Sequence, residues 1–228
     1  VWTDPKCLLD IDGAPLLGRY LDVLAEFPAI DDICLVVGYR ADAIRAQLLS
    51  HPAAARVRCV DNPRYEDGSI LSLHAGLVAD GASTLLMDGD VYFEPEVVRR
   101  LLAAGGDTTL LVDTTSRNTG EEIMVGGDVD RLVRVGRGMS GAFPIHGEWI
   151  GFMTLTPEAT HQFRRLTDDR VLGGDTAGGY EDVLDDLVQR VAARPCLVDG
   201  LRWIEIDFPD DVVRARRLAS APSPPGPT

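Results

Sequence analysis

Ile33-Cys34-Leu35-Val36-Val37-Gly38 is followed by helical spacing from Ala41 to Ser50 and by a second β-rich run from Val57 to Val60. Five apolar residues closed by glycine are too few for a helix and read as a strand buried on both faces. Working outward, Ser69 to Ala79 has helical spacing through Leu71, Leu73, Leu77 and Val78, and Thr84-Leu85-Leu86-Met87 is the next strand. Glu94 to Ala104 reads as a helix opened by an acidic residue and Pro95, and Thr109 to Val112 as strand again. Strand and helix in alternation mean βαβ units. The expected fold is therefore α/β, a Rossmann-like, mostly parallel sheet flanked by helices.

After Asp113 the pattern changes. Ile123 to Val125, Gly126-Gly127-Asp128 and Leu132 to Val135 read as a hairpin with its turn, followed by a strand over Trp149–Leu155. Helices are expected over Pro157–Leu166, Tyr180–Val191 and Pro209–Leu218, and strands over Leu197-Val198 and Trp203–Ile206. One domain over 1–218 is expected, with a parallel half to about 113 and a mixed half over 114–218. Residues 219–228, ASAPSPPGPT, read as a Pro-rich tail or a linker to a second domain.

The 228 residues carry 36 acidic and 22 basic side chains, a net charge of −14. So acidic a surface repels nucleic acid and anionic membrane, and neither is expected as a partner. No apolar run approaches the roughly 20 residues of a spanning helix. Cys7, Cys34, Cys59 and Cys196 lack CxxC spacing, which argues against a disulfide framework or zinc ribbon and for a reducing, cytoplasmic setting. Lys6 is the sole lysine. The bland reading is arginine-rich codon usage; the sharper one is a position that needs a compact ammonium rather than a planar guanidinium.

Ligands of open α/β sheets bind beyond the carboxyl ends of the strands. Met87 is followed there by Asp88-Gly89-Asp90, and Ile206 by Asp207. Two carboxylates converging from different strands can hold Mg²⁺, a hard cation that takes oxygen ligands. An aspartate after a strand can also be a mere turn former or cap, the reading given to Asp10 and Asp113. His51, His74, His146 and His161 stand singly and none is required; His74 reads as a core or surface residue.

Asp4-Pro5-Lys6-Cys7-Leu8-Leu9 with Gly13-Ala14-Pro15-Leu16-Leu17 resembles the "PK-L-L…G-P-L-L" segment of the sugar-nucleotide and phosphocholine nucleotidyltransferase family. Val37-Gly38-Tyr39, Leu86 to Val91 and Trp203 to Asp211 resemble its later segments, in order. Asn62-Pro63-Arg64-Tyr65 with Ser72-Leu73, Gly147 to Gly151, and Tyr180-Glu181-Asp182 resemble its phosphocholine, inositol-phosphate and phosphonate cytidylyltransferase branch. The resemblance implies that Lys6 neutralises phosphate charge and that Asp90 and Asp207 bind Mg²⁺. It further implies nucleotide contacts from Asn62, Gly68, Ser69 and Asp88, and acceptor contacts from Glu148, Trp149, Tyr180, Glu181 and Asp182. For Glu148, Glu181 and Asp182 a solvated strand edge and an acidic helix N-terminus are equally good readings.

The family's Gly-rich triphosphate loop is expected upstream of Val1, and the usual lysine after Gly13 is Ala14 here. The two halves then become a nucleotide half and an acceptor half. The implied activity joins CMP from CTP to a small phosphorylated or phosphonylated alcohol, with release of pyrophosphate. Sugar-1-phosphate nucleotidyl transfer, a glycosyltransferase using Asp88-Gly89-Asp90 as DxD, and a non-catalytic ligand-sensing domain are the alternatives.

Overall fold

The computed structural model describes residues 2–105 and 107–221. In chain order it contains β1 (Asp10–Ile11), β2 (Ala14–Pro15), α1 (Leu16–Ala25), β3 (Ile33–Val37), α2 (Ala41–Leu49), β4 (Val57–Asp61), α3 (Ser69–Gly76), β5 (Thr84–Met87), β6 (Val91–Phe93) and α4 (Glu96–Ala103). There follow β7 (Thr108–Asp113), β8 (Ile123–Gly127), β9 (Leu132–Arg137), β10 (Ile145–Leu155), α5 (Pro157–Leu172), α6 (Tyr180–Val188), β11 (Ala193–Leu197), β12 (Trp203–Glu205) and α7 (Pro209–Ser220).

The main sheet runs β11–β7–β10–β8–β9. Strand β10 is long enough to serve two neighbours along one edge, β8 through Ile145–Glu148 and β5 through Phe152–Leu155, with β7 on its other edge. Every residue of β7 is buried. Leu110 and Val112 pack with α5 and α6 residues such as Phe163 and Leu187, whereas Leu111 packs the opposite way with Val97, Val98 and Ala215 of α4 and α7. Alternate residues of one strand thus feed two cores, as a sheet covered by helices on both faces requires.

The α/β class with flanking helices is as expected, but the pairing is not mostly parallel. Among the described residues the parallel ladders are β3–β4 and β7–β11, and the others are antiparallel. A continuous apolar run reports burial on both faces, which a central antiparallel strand such as β10 meets equally well. The helix expected from Glu94 starts at Glu96 as α4, and just before it Val91–Phe93 form β6, a strand not expected from the sequence. Helix α5 runs six residues past Leu166, and α7 takes in Ala219 and Ser220 of the expected tail. Residues 222–228 of that tail lie outside the described residues.

Two features aim the main sheet at the loop after β5. Tyr20 on α1 packs edge-on against Phe93 and Phe152 at centroid distances of 4.8 and 5.9 Å. Its hydroxyl lies 2.7 Å from the Asp88 carbonyl and 2.8 Å from that of Val91, and accepts from the Val91 amide at 3.1 Å. The second feature is a register shift of β10 against β7 between Trp149 and Met153, at Gly151 with φ +83°. A Cβ at Gly151 would lie 2.5 Å from Asp88 Oδ2. Gly151→Ala combines a left-handed backbone with that clash and is expected to lower stability by about 1–3 kcal/mol, read from urea unfolding.

Candidate carboxylate and lysine site

Strands β6 and β12 pair antiparallel with Glu205 opposite Val91, and the Ile206 amide donates to the Asp90 carbonyl at 2.9 Å. Asp90 precedes one strand and Asp207 follows the other, so this short ladder sets them side by side. Glu205, two residues before Asp207, joins them. One carboxylate oxygen from each of the three lies within 4.8 Å of the others. Sequence reasoning found Asp90 and Asp207 but missed Glu205, although alternation along a strand puts residues two apart on one face.

Lys6 bridges two of these carboxylates. Its Nζ lies 3.0 Å from Asp90 Oδ2 and 2.8 Å from Asp207 Oδ1. Burial alone would lower the ammonium's pKa, but the charges and hydrogen bonds of Asp90 and Asp207 outweigh it and hold the group above its ordinary value. The approach is fixed by the preceding residues. Tyr39 Oη and Arg40 Nη1 donate to the Thr3 carbonyl at 3.1 and 2.7 Å, Arg40 also pairs with Asp4, and Trp2 Nε1 donates to the Asp207 carbonyl at 3.2 Å. Arg40 itself has φ +49°, a left-handed conformation at the N-cap of α2.

Glu205 is pushed up to about 7, first by burial behind its neighbours and then by the charges of Asp207 and Asp90, with Lys6 opposing. The residue is nevertheless exposed to solvent. Three carboxylates within reach of one another, two of them holding the ammonium, make a set suited to a hard divalent cation.

Asp88 stands apart from this cluster. Its Oδ1 accepts from Tyr180 Oη at 2.6 Å, and burial pushes the carboxyl up to about 8 against the pull of that hydrogen bond. Of Asp88-Gly89-Asp90 the second aspartate joins the cluster, while the first is turned to a tyrosine.

The other expected nucleotide contacts are committed within the protein. Asn62 is buried, its Nδ2 donating to Ser72 Oγ at 3.0 Å and its Oδ1 accepting from the Arg64 amide at 3.0 Å, so the expectation for it is corrected to a structural joint. Gly68, at φ +129°, faces the α5–α6 loop: a Cβ there would stand 2.0 Å from the Thr176 carbonyl. Ser69 Oγ accepts from the Tyr180 amide at 3.1 Å. Close approach at Gly68 is thus made by the chain's own backbone.

The acceptor set divides. Trp149 and Tyr180 are both corrected: they are core residues 5.8 Å apart edge-to-face, and Trp149 Nε1 donates to the Phe152 carbonyl at 3.0 Å. Glu181 folds back over Gly179, and Asp182 is exposed in the first turn of α6 beside Gly178, which fits the helix-terminus reading. Glu148 remains. It lines a cleft of about 320 Å³ with Trp203, Glu205, Asp207, Phe208 and Arg214, directly beside the carboxylate cluster. Burial raises its pKa, Ser116 opposes by hydrogen bonding, and Glu122 and Asp113 add to the rise. Phe208, which sequence reasoning did not single out, is 70% exposed at this cleft.

His74 is structural, as read: its Nε2 lies 3.0 Å from Asp168, and its carbonyl accepts from Arg164 at 3.1 Å, tying α3 to α5. All four cysteines are free. Among the described residues no helix is long and apolar enough to cross a membrane.

Comparisons with known proteins place the chain by family and by fold. The MobA-like NTP transferase domain matches residues 2–148. The chain is 29% identical over 227 residues to the CMP-5'-(3-aminopropyl)phosphonate synthase of Streptomyces rubellomurinus, covering 96% of this chain and 36% of that protein. It is 26% identical over 222 residues to the bifunctional IPC transferase and DIPP synthase of Thermococcus kodakarensis, covering 94% and 46%. The chain thus spans less than half the length of these relatives. The solved CTP:phosphocholine cytidylyltransferase of Streptococcus pneumoniae superposes with a TM-score of 0.77 at 20% identity, covering 96% of this chain and 91% of that one, which speaks to the fold.

Replacing Tyr180 by phenylalanine keeps the core ring and deletes the hydroxyl that serves Asp88. The expected cost is about 1–3 kcal/mol in chemical denaturation; an unchanged midpoint would show that bond to be idle.

Proposed function

Because the chain belongs to the MobA-like NTP transferase domain family, we propose that it transfers a cytidylyl group from CTP to a small phosphate or phosphonate acceptor. The observation that carries this reading is the convergence of the Asp90, Asp207 and Glu205 carboxylates, the first two of them paired with the Lys6 ammonium. The choice of CTP is supported by the phosphonate synthase relative, whose product bears CMP, and by the fold of the phosphocholine enzyme.

The acceptor's anionic oxygen attacks the α-phosphorus of the nucleotide; one O–P bond forms as the bond to pyrophosphate breaks and its electron pair leaves with pyrophosphate. The nucleophile is already ionised, so no general base is needed. The work left to the chain is positioning and charge neutralisation. Asp90, Asp207 and Glu205 would hold Mg²⁺, which when bound draws charge from phosphate oxygens. Lys6 supplies a point charge beside them, a task for which a forked guanidinium is the wrong shape. Asp88, held by Tyr180 and the β10 bulge, fixes the turn that carries Asp90.

In the cleft next to the cluster, Glu148 offers a carboxylate and Phe208 an exposed ring face. Asp211 is occupied there, accepting from the Phe208 amide at 2.8 Å and pairing with Arg214 at 3.2 Å. Carboxylate and aromatic face together favour an acceptor that carries an organic cation. The buried Trp149 and Tyr180 have no part in this.

The test is pyrophosphate release from CTP and Mg²⁺ with phosphocholine, 3-aminopropylphosphonate, inositol 1-phosphate and glucose 1-phosphate in parallel. Transfer to the first two above the others is expected, and no release with any acceptor would refute the reading. Asp90→Asn should cut turnover by at least about a hundredfold with little change in thermal midpoint. Lys6→Arg should also lose activity, while Glu148→Gln should raise KM for phosphocholine about tenfold, the effect of losing about 1.4 kcal/mol of binding.

A further inference from the structure

Lys6 stands where an ion would stand. Its Nζ is 3.0 and 2.8 Å from one oxygen each of Asp90 and Asp207, and Glu205 offers a third oxygen within 4.8 Å of those two carboxylates. Magnesium binds carboxylate oxygens at about 2.0–2.1 Å. An ion meeting the same two oxygens on the side that Nζ occupies would overlap it, and two cations cannot share that position.

We infer that Lys6 is the resident counter-ion of this site, exchanged for the divalent ion when the ion binds. In the metal-free protein the ammonium holds mutually repelling carboxylates together. On exchange it gives up at least one of them and turns toward the phosphates that the ion gathers. The inference rests on the transfer reading only for the identity of the ion.

The surroundings allow this movement and limit it. Residues Trp2 to Asp4 are tied down by Tyr39, Arg40 and the Asp207 carbonyl, and Lys6 opens a short helical turn closed by the Leu9 amide on the Lys6 carbonyl at 3.0 Å. The backbone is held, so displacement must take place along the four-carbon side chain, whose rotations are free. A released ammonium therefore remains within one side-chain length of the carboxylates. The same residue thus serves in turn as placeholder and as phosphate partner, and no second basic side chain has to be brought in. Lysine suits both tasks, being a compact charge on a flexible stem.

Because the chain has one lysine, protein grown with ¹³C,¹⁵N-lysine yields a single Cε–Nζ resonance that reports this side chain alone. Titration with MgCl₂ without nucleotide is expected to abolish the slowly exchanging, carboxylate-paired ammonium signal, with a midpoint equal to the calorimetric Kd. Lys6→Met, which removes the competing cation, is expected to bind Mg²⁺ about tenfold more tightly. Calorimetric uptake of Mg²⁺ with an unmoved lysine signal would overturn the exchange and leave the transfer reading standing, as would wild-type affinity in a folded Lys6→Met. Should Lys6→Met fail to fold, the wild-type titration decides alone. Absence of Mg²⁺ uptake at millimolar concentration would overturn the exchange and the metal's part in transfer together.

Discussion

Three residue pairs, Trp203 with Phe93, Ile204 with Tyr92 and Glu205 with Val91, join the end of the chain to its middle. On that short antiparallel ladder the candidate site depends. Without it, Asp90 and Asp207 would be strand-end carboxylates more than a hundred residues apart with no reason to meet. With it, like charges are forced together, and the fold must compensate. It does so with Lys6, delivered by an N-terminal segment anchored at three points, and with the solvent exposure of Glu205. The electrostatic demand of the cluster and the anchoring of the lysine are two sides of one arrangement.

The loop between β5 and β6 is held with similar economy. Tyr20 reaches it from one core, Tyr180 from the other, and the bulge at Gly151 leaves room for Asp88 between them. A turn gripped by residues from both faces of the sheet has little freedom, which suits a turn that must present Asp90 at a fixed place. The two cores are thereby linked through Asp88, whose backbone answers to one tyrosine and whose side chain answers to the other.

Much of this was legible in the sequence. Continuous apolar runs delimited β3 and β5 to the residue, and the acidic residues just beyond strand ends, together with the lone lysine, singled out the groups that converge. Strand direction was not legible, because burial on both faces says nothing about it. Strand β6 was hidden by its three residues and by the helix signal of Glu94-Pro95 that follows. Trp149 and Tyr180 were misplaced because aromatic identity does not report exposure, although two local patterns did. Glu148 facing the cleft turns its neighbour Trp149 to the opposite face. Val183, Leu184 and Leu187 lie three, four and seven residues after Tyr180, on the apolar side of α6.

Gly68 bears on how related sequences should be compared. The Thr176 carbonyl fills the place a β-carbon would take, so steric exclusion forbids every other residue before any ligand is considered. Should kin of this chain keep glycine at that column while the α5–α6 loop retains its course, such invariance would measure crowding between two backbone segments. A surveyor who took it for the imprint of a nucleobase would credit selection on catalysis with what selection on packing had done.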